Sequence, residues 1–193
     1  MASLHTRPDI PPPSARLLDF TRLLRRAGRV LTGVDRVEMA YLEALLSDPT
    51  PVWGLARTPL GYVLLDEVGL MAFHDRLTGI LPYSSPDILS WVQRGASTIA
   101  RSAMTDARKF SVDRCLPRGL KAMLSSRLPA GTAYLNTGHS NITPRVLQAV
   151  RAVSKSQISV FVHDVIPLQY PQFQREGTVE PFEKKMRLVR RYA

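Results

Sequence analysis

The spacing of hydrophobic and polar residues changes repeatedly along this chain, and the changes predict alternating strands and helices. The apolar run 157–162 is rich in β-branched and aromatic residues, which predicts a buried parallel strand. Between 34 and 48 the apolar residues recur at i, i+3, i+4 and i+7, which predicts an amphipathic helix ended by Asp48-Pro49. The apolar positions of that helix are Val34, Val37, Ala40, Tyr41, Ala44 and Leu45.

The other segments continue the alternation. A hairpin is predicted around Pro59-Leu60-Gly61, and Thr143 followed by Pro144 is a typical helix start. The predicted strands are 15–24, 51–58, 61–66, 132–136 and 157–162, and the predicted helices are 34–48, 85–103, 117–126, 143–153 and 179–193. This order predicts an α/β fold, Rossmann-like, with a mostly parallel sheet flanked by helices.

Composition divides the chain into two parts. Residues 1–14 are proline-rich and are expected to form a disordered lead-in, whereas residues 15–193 are expected to form one Rossmann-like domain. Within that domain, 67–130 is basic and poor in predicted strands. The last predicted helix, 179–193, has no glycine cap or stop signal, so we expect the sequence to be truncated before one more α/β unit.

Charge and cysteine content narrow the possible functions. The 193 residues are 45% hydrophobic, and no apolar run is long enough to span a bilayer. The single cysteine excludes a disulfide within the chain and argues against a cysteine-based zinc site. No secretory signal is recognisable, so a cytoplasmic location is expected. The net charge of +10 favours phosphates, nucleic acid or an anionic membrane surface as partners, without choosing among them.

Polar residues follow three predicted strands at the point where each strand ends. These segments are "LTGVDR" at 31–36, "NTGHSN" at 136–141 and "HDVIP" at 163–167. Ligands of doubly wound sheets bind beyond the carboxyl ends of the parallel strands. We therefore expect the three segments to meet at one edge of the sheet and to form the functional site.

The residue types in these segments suit the binding of a polar, anionic ligand. Gly33 permits close approach of backbone N–H groups, and the helix start that follows it favours a phosphate. His163 donates or accepts near neutral pH, and His139 offers a second imidazole. Asp164 has three open roles: to orient His163, to accept sugar hydroxyls or to act as a base, and it also suits a purely local backbone cap.

Other chemistries are less well matched by the sequence. No G-x-S-x-G elbow is present, which argues against a Ser-His-Asp hydrolase. The phosphate-loop pattern G-x-x-x-x-G-K-[ST] and the dinucleotide pattern G-x-G-x-x-G are both absent. His139, His163 and Asp164 do not have a spacing diagnostic of a metal site, so no metal is expected.

The same segments resemble a known family. "LTGVDRVEMAYLEALL" is similar to the first loop and helix of retaining, GT-B type glycosyltransferases of the group-1, mannosyltransferase-like class, where T-G-[IV]-x-R-V precedes a helix. "VFVHDVIPLQYPQFQ" resembles the family's HD-[LV]-IP-L-x-x-P segment, and "YLNTGHSN" resembles the loop between them. The similarity extends over most of 15–193.

The resemblance implies an N-terminal domain that binds a glycan or lipid-linked acceptor and contributes loops to the donor phosphates. His163 and Asp164 are the implied catalytic residues. The implied substrate-binding residues are Thr32, Gly33, Val34, Asp35, Arg36, Asn136, Gly138 and His139. No cofactor or metal is implied. The nucleotide-sugar donor is expected to bind a C-terminal domain that this sequence lacks, so the chain is expected to be inactive alone.

Three functions remain in competition at this stage. The first is the acceptor-binding half of a hexosyltransferase, cytoplasmic and peripheral at the inner face of an anionic membrane. The second is a non-catalytic α/β binding or scaffold module. The third, a basic nucleic-acid-binding domain, rests on charge alone, because no helix-turn-helix, zinc finger or aromatic RNA platform is recognisable.

Overall fold

The computed structural model describes residues 12–92 and 95–193 as an α/β fold built on one sheet. Its strands are β1 (Arg16–Asp19), β2 (Val52–Thr58), β3 (Gly61–Leu65), β4 (Asp113–Cys115), β5 (Ala133–Asn136) and β6 (Gln157–Val160). Their spatial order is β4-β3-β2-β1-β5-β6. The pairs β1–β2, β1–β5 and β5–β6 are parallel, and β3 is antiparallel to both of its neighbours. The predicted mostly parallel sheet is confirmed.

Helices cover both faces of this sheet. They are α1 (Thr21–Arg26), α2 (Gly33–Leu46), α3 (Glu67–Leu77), α4 (Thr98–Lys109), α5 (Leu120–Arg127), α6 (Pro144–Arg151), α7 (Ile166–Gln169) and α8 (Val179–Tyr192). Leu17 and Leu18 are neighbours on β1 and are both fully buried, yet they belong to different apolar clusters. Successive strand residues point to opposite faces, so one cluster packs under α1–α4 and the other under α5 and α6. The predicted Rossmann-like class is confirmed.

Several predicted elements are confirmed nearly residue for residue. The hairpin of β2 and β3 turns at Pro59-Leu60, and β5 occupies the predicted 132–136 segment. The Thr143 side chain accepts the Val146 N–H at 3.3 Å and caps α6, as predicted. The helix predicted at 117–126 is a 3₁₀ turn, Pro117–Gly119, followed by α5.

The strand predicted at 15–24 is too long. β1 ends at Asp19, and α1 begins two residues later. The Asp19 Oδ1 atom accepts the Thr21 N–H at 3.1 Å, a local side-chain turn that takes the backbone out of the sheet. Leu23 and Leu24 are buried from a helix, where the apolar run alone had suggested a strand.

The helix predicted at 85–103 is also wrong in its start. A 3₁₀ segment, Ile88–Val92, precedes α4, and residues 93 and 94 lie outside the described residues. α4 instead begins after Ser97, whose hydroxyl accepts the Ala100 N–H at 3.2 Å. Near the predicted start, Asp87 Oδ1 accepts the Ser90 N–H at 2.8 Å, but this hydrogen bond begins only the short 3₁₀ segment.

β6 is an edge strand of the described sheet, so the prediction of a fully buried strand at 157–162 is wrong. It pairs only with β5 and ends at Val160. Ser159 is exposed, and Phe161 and Val162 are 43% and 36% exposed. An apolar, β-branched run therefore occurs here on a strand that has one neighbour.

The helix predicted at 34–48 is confirmed as α2, but its buried face differs from the predicted one. Ala40, Tyr41 and Ala44 are exposed. The buried residues are Asp35, Glu38, Met39, Leu42 and Leu45. Two carboxylates occupy the inner face because polar partners on α1 receive them, which apolar periodicity does not detect.

Two further predictions concern a disordered N-terminal segment, 1–14, and the absence of a membrane-spanning segment. Of the predicted disordered lead-in, residues 1–11 lie outside the described residues, whereas Ser14 is ordered by a 2.6 Å hydrogen bond from its Oγ to the Ala130 carbonyl. Within residues 12–92 and 95–193, none of the helices has the length and apolar character needed to cross a bilayer.

Candidate functional site

Two of the polar segments follow β5 and β6 directly, whereas the first, 31–36, is separated from β1 by α1. β1, β5 and β6 are parallel neighbours that end at Asp19, Asn136 and Val160. The loop after β5, residues 137–143, therefore leaves the sheet between the ends of β1 and β6. This loop makes the contacts that join the other two segments.

Two histidines join the loop after β5 to the segment after β6. His139 Nε2 lies 2.7 Å from the Phe161 carbonyl oxygen, and His163 Nε2 lies 2.6 Å from the Thr137 carbonyl oxygen. A carbonyl only accepts, so in both rings Nε2 carries the hydrogen and donates it. The two rings pack edge to face with centroids 5.2 Å apart. The predicted histidines are thus brought together, each held by the segment that carries the other.

The same loop also contacts β1, α1 and α2. Asn141 Nδ2 donates to Asp19 Oδ2 at 2.8 Å. Gly138 packs so closely that an added Cβ would overlap the Glu38 carboxylate and lie 3.0 Å from the Arg22 Cδ. Arg22 in turn donates to the Thr32 hydroxyl at 3.2 Å. All three predicted segments therefore meet at one edge of the sheet.

The loop after β5 has an unusual backbone at the point of convergence. His139 and Asn141 have φ angles of 53° and 61°, in the left-handed region that residues other than glycine rarely adopt. Such conformations cost on the order of 1 kcal/mol each and persist where surrounding contacts hold them. Here the holding contacts are the hydrogen bonds of His139 to Phe161 and of Asn141 to Asp19.

A cluster of three carboxylates lies beneath the loop, and we call it the carboxylate cluster: Asp19, Asp35 and Glu38. All three side chains are buried. Asp19 accepts from Tyr134 Oη at 2.9 Å as well as from Asn141. Asp35 was predicted as a site residue, whereas Asp19 and Glu38 were not, although an acidic residue inside the apolar run "RLLDF" is a signal that the sequence offers for Asp19.

The members of the carboxylate cluster are held in different ways. Asp35 receives Arg22 Nε at 2.6 Å, Arg26 Nε at 3.1 Å, and the Thr32 N–H and hydroxyl at 2.7 Å each. Glu38 receives only the Leu23 N–H, at 3.4 Å on Oε1. Its buried Oε2 has no hydrogen-bond partner among the described residues. Asp35 is thus fully paired, whereas Glu38 is not.

These environments move the pKa values in opposite directions. Burial raises the pKa of Glu38 to about 8, and the negative charge of Asp19 adds to the rise. Burial also raises the pKa of Asp19, against the effect of its hydrogen bonds. Burial would raise the pKa of Asp35 too, but hydrogen bonds from Thr32 and Arg22 outweigh it and lower the pKa. Glu38 therefore carries a proton at neutral pH, while Asp35 is ionised.

The imidazole of His139 is also perturbed. Burial lowers its pKa, and the hydrogen bond to the Phe161 carbonyl opposes that fall. The nearby His163 and the Lys185 ammonium, which lies 3.4 Å from the His139 carbonyl, lower the pKa further. His139 is therefore neutral at physiological pH, with Nε2 protonated.

The residues predicted at the start of α2 lie at that helix end, within one residue of the predicted boundary. Gly33 is the first residue of the helix rather than part of a loop, and an added Cβ would meet nothing within 4 Å. Thr32 and Arg36 are exposed and Val34 is half-buried. Asp35 already fills the first turn, so a phosphate at this helix end would meet its negative charge as well as the N–H groups.

The predicted residues at the ends of β5 and β6 are placed as follows. Asp164 is exposed, and its Oδ1 accepts the Ile166 N–H at 3.3 Å, which matches the local backbone cap considered from the sequence. Asn136 is buried, with its Nδ2 donating to Tyr134 Oη at 3.0 Å and to the Ser140 carbonyl at 2.7 Å. Buried Asn136 Oδ1 and Thr137 Oγ1 have no partner among the described residues. Such unpaired buried groups are uncommon in folded proteins.

Neither a metal centre nor a known relative indicates the function of this edge of the sheet. In the part of the chain that the structure describes, no group of three or more His, Cys, Asp or Glu side chains is placed to hold a metal ion. Comparison with known proteins gave no match to any family model, curated protein or solved structure. The site must therefore be interpreted from its own geometry.

Proposed function

We propose that this chain is the acceptor-binding, N-terminal part of a GT-B type glycosyltransferase that moves a hexose from a nucleotide sugar to a glycan or lipid-linked acceptor. The observation that carries the proposal is the meeting of 31–36, 137–141 and 161–164 at the carboxyl edge of a parallel sheet. Ligands of such folds bind at this edge. The sequence segments that resemble the glycosyltransferase family are the same segments that meet there.

The contacts suggest how the edge would serve the reaction. His163 is oriented through Nε2 by the Thr137 carbonyl, which leaves Nδ1 for a ligand. Exposed Asp164 and partly exposed His139 lie beside it. The sugar is a polyol, so imidazole, carboxylate and backbone groups are suitable partners for its hydroxyls.

The proposal requires a second, nucleotide-sugar-binding domain. The coding sequence after codon 193, or an adjacent reading frame, is expected to encode an α/β domain with a pair of glutamates. The chain is then co-expressed with that domain and tested with labelled nucleotide sugars for hydrolysis and transfer. Transfer only in the combined sample supports the proposal. A soluble, monodisperse chain that supports no transfer with the domain present would favour a non-catalytic binding module instead.

His163 gives the sharpest test of the site. In the combined enzyme, His163→Ala is expected to lower turnover by about 100-fold or more, the scale of a lost positioned acid–base or electrostatic group. His74→Ala is the matched control, because the His74 imidazole lies on α3 and pairs with Glu43 at 3.4 Å and Asp75 at 3.8 Å, not with the loop after β5. Wild-type turnover in His163→Ala would remove His163 from the proposed reaction.

A further inference from the structure

A second cleft lies at the same edge of the sheet, on the other side of β1. It is about 580 Å³ in volume, within the range of small-molecule sites. It is formed by the end of α1, the turn of the β2–β3 hairpin and the start of α6. Three of its lining residues are arginines: Arg25, Arg57 and Arg145. We call it the arginine cleft.

The charge of the arginine cleft is not balanced by carboxylates. Within residues 12–92 and 95–193, none of its three arginines forms an ion pair. Asp19 lies behind the cleft, but its Oδ2 is already engaged by Tyr134 and Asn141. Three guanidinium groups that share one concave surface repel one another, and an anion relieves that repulsion.

Two of the arginines act on the same residue, Tyr62, which also lines the cleft. Arg57 and Tyr62 are directly paired across the hairpin, and the Arg57 guanidinium lies 4.9 Å from the centre of the Tyr62 ring. Burial raises the pKa of the Tyr62 hydroxyl, and the positive charges of Arg57 and Arg145 both oppose that rise. Buried Arg57 Nη1 has no hydrogen-bond partner among the described residues. The Arg57 guanidinium is thus not fully satisfied by the described residues.

The other lining groups indicate what the anion is attached to. Asn141 and Thr143 supply an amide and a hydroxyl, and α6 begins at the cleft with its positive helix end. Three guanidiniums match the charge and the several oxygens of a phosphate better than a single carboxylate. The cleft is far larger than a phosphate group, so there is room for a hydroxylated organic part.

We propose that the arginine cleft binds the phosphate of a phosphorylated polyol or sugar. The phosphate is held by Arg25, Arg57 and Arg145, and the organic part lies against Asn141 and Thr143. This inference is independent of glycosyl transfer and of a second domain, because the cleft is complete within the chain. A soluble metabolite and a phospholipid headgroup both present this chemistry.

Direct binding measurements test the site. Calorimetry of the purified chain uses inorganic phosphate, glucose 1-phosphate and glucose, and a parallel arm uses phosphatidylcholine vesicles with and without phosphatidic acid. Arg57→Gln and Arg145→Gln are each expected to weaken phosphate or glucose 1-phosphate binding by about tenfold or more, since each removes charge-assisted hydrogen bonds. Glucose is expected to bind least.

Arg151→Gln is the matched control, because it removes the same charge from the far end of the same helix, α6, where the side chain is exposed. Loss of binding in the two cleft variants but not in the control supports the proposal. Loss in the calorimetry with soluble phosphates identifies the ligand as a soluble metabolite, whereas loss in the vesicle measurement identifies it as a lipid headgroup. Absence of phosphate binding in both arms, or an equal loss in Arg151→Gln, overturns it. Circular dichroism checks folding, and exposed Arg145 decides the outcome if Arg57→Gln does not fold.

Discussion

The arginines of α1 have two different environments, although they lie within five residues of one another. Arg22 and Arg26 are four residues apart, on one face of the helix, and both donate to buried Asp35. Arg25 is turned to another face and lines the arginine cleft with Arg57 and Arg145. The same residue type is thus neutralised on one side of the sheet edge and unpaired on the other.

This difference separates charges that hold the fold from charges that are available to a ligand. Removing one partner of a buried pair leaves an uncompensated charge, so the carboxylate cluster is expected to control stability. The arginine cleft is open to solvent and has no ion pair to lose, so its charges are expected to affect binding far more than folding. The following predictions test the first half of that comparison.

The largest expected effect is at Asp35. Asp35→Ala removes the shared partner of Arg22 and Arg26 and the acceptor for Thr32, and it is expected to lower the free energy of unfolding by about 3–5 kcal/mol. Urea unfolding measures the loss. Asp48→Ala is the control, because its 2.6 Å pair with Arg16 is partly exposed, and this change is expected to cause a clearly smaller loss. Equal losses would contradict the expectation that burial of the Asp35 pairs makes them important for stability.

Glu38 is expected to make stability depend on pH. Its pKa of about 8 in the folded protein lies above the ordinary value of 4.5, so the folded state binds an extra proton between these two pH values. The contribution of Glu38 to stability is therefore greatest below the lower value and falls as the pH rises toward 8. After relaxation of the site, the loss is expected to be on the order of 3 kcal/mol.

Comparison with Glu38→Gln isolates this contribution. Glutamine keeps the shape of the side chain and does not titrate, so the decline across this range should be smaller in the variant, with only the part due to Asp19 remaining. His139, whose pKa is lowered, changes stability in the opposite direction, but it is present in both proteins. Urea unfolding at several pH values measures the difference, and parallel pH profiles would show that Glu38 is not buried as a proton-binding group.

The smallest expected effect is at Gly138, where the loop rests on the carboxylate cluster. Gly138→Ala places a methyl group against Glu38 and Arg22 and is expected to lower the free energy of unfolding by about 1–3 kcal/mol. Gly33→Ala is the control, since the space around that Cβ is open, and it is expected to change stability by about 0.5 kcal/mol or less. Thermal or urea unfolding of both variants measures the two changes in stability. Equal changes would mean that the loop moves to accommodate the methyl group at little cost.

Much of the fold follows from local pattern. The hairpin, β5, α2, α6 and α8 were all predicted in place, because each depends on interactions between residues close in sequence: a turn, a helix cap or an apolar period. The meeting of three segments at one edge also followed, since parallel strands place their carboxyl ends on the same side. The functional roles of His163, Asp164 and the α2 residues stay predictions.

Two of the misplaced features, the buried face of α2 and the exposure of β6, depend on contacts between residues distant in sequence. The apolar positions of α2 predicted one face, but the structure buries Asp35 and Glu38, because Arg22, Arg26 and the Leu23 N–H compensate them. The run 157–162 has the composition of a central strand, yet β6 has only one neighbour. In both cases the residues that decide burial are distant in sequence, so the local spacing of apolar residues does not predict that burial.

The sequence by itself determined most of the order of strands and helices, the class of the fold and the edge of the sheet where polar loops emerge, but not α1, α3, α7 or β4. Only the tertiary structure decided which charges at that edge are neutralised. Arg22, Arg25 and Arg26 are equivalent in composition, and their environments differ because folding brings Asp35 against one face of α1 and places Arg57 and Arg145 beside another. Electrostatic interactions depend on distance in space and on burial, and neither quantity is written in local spacing.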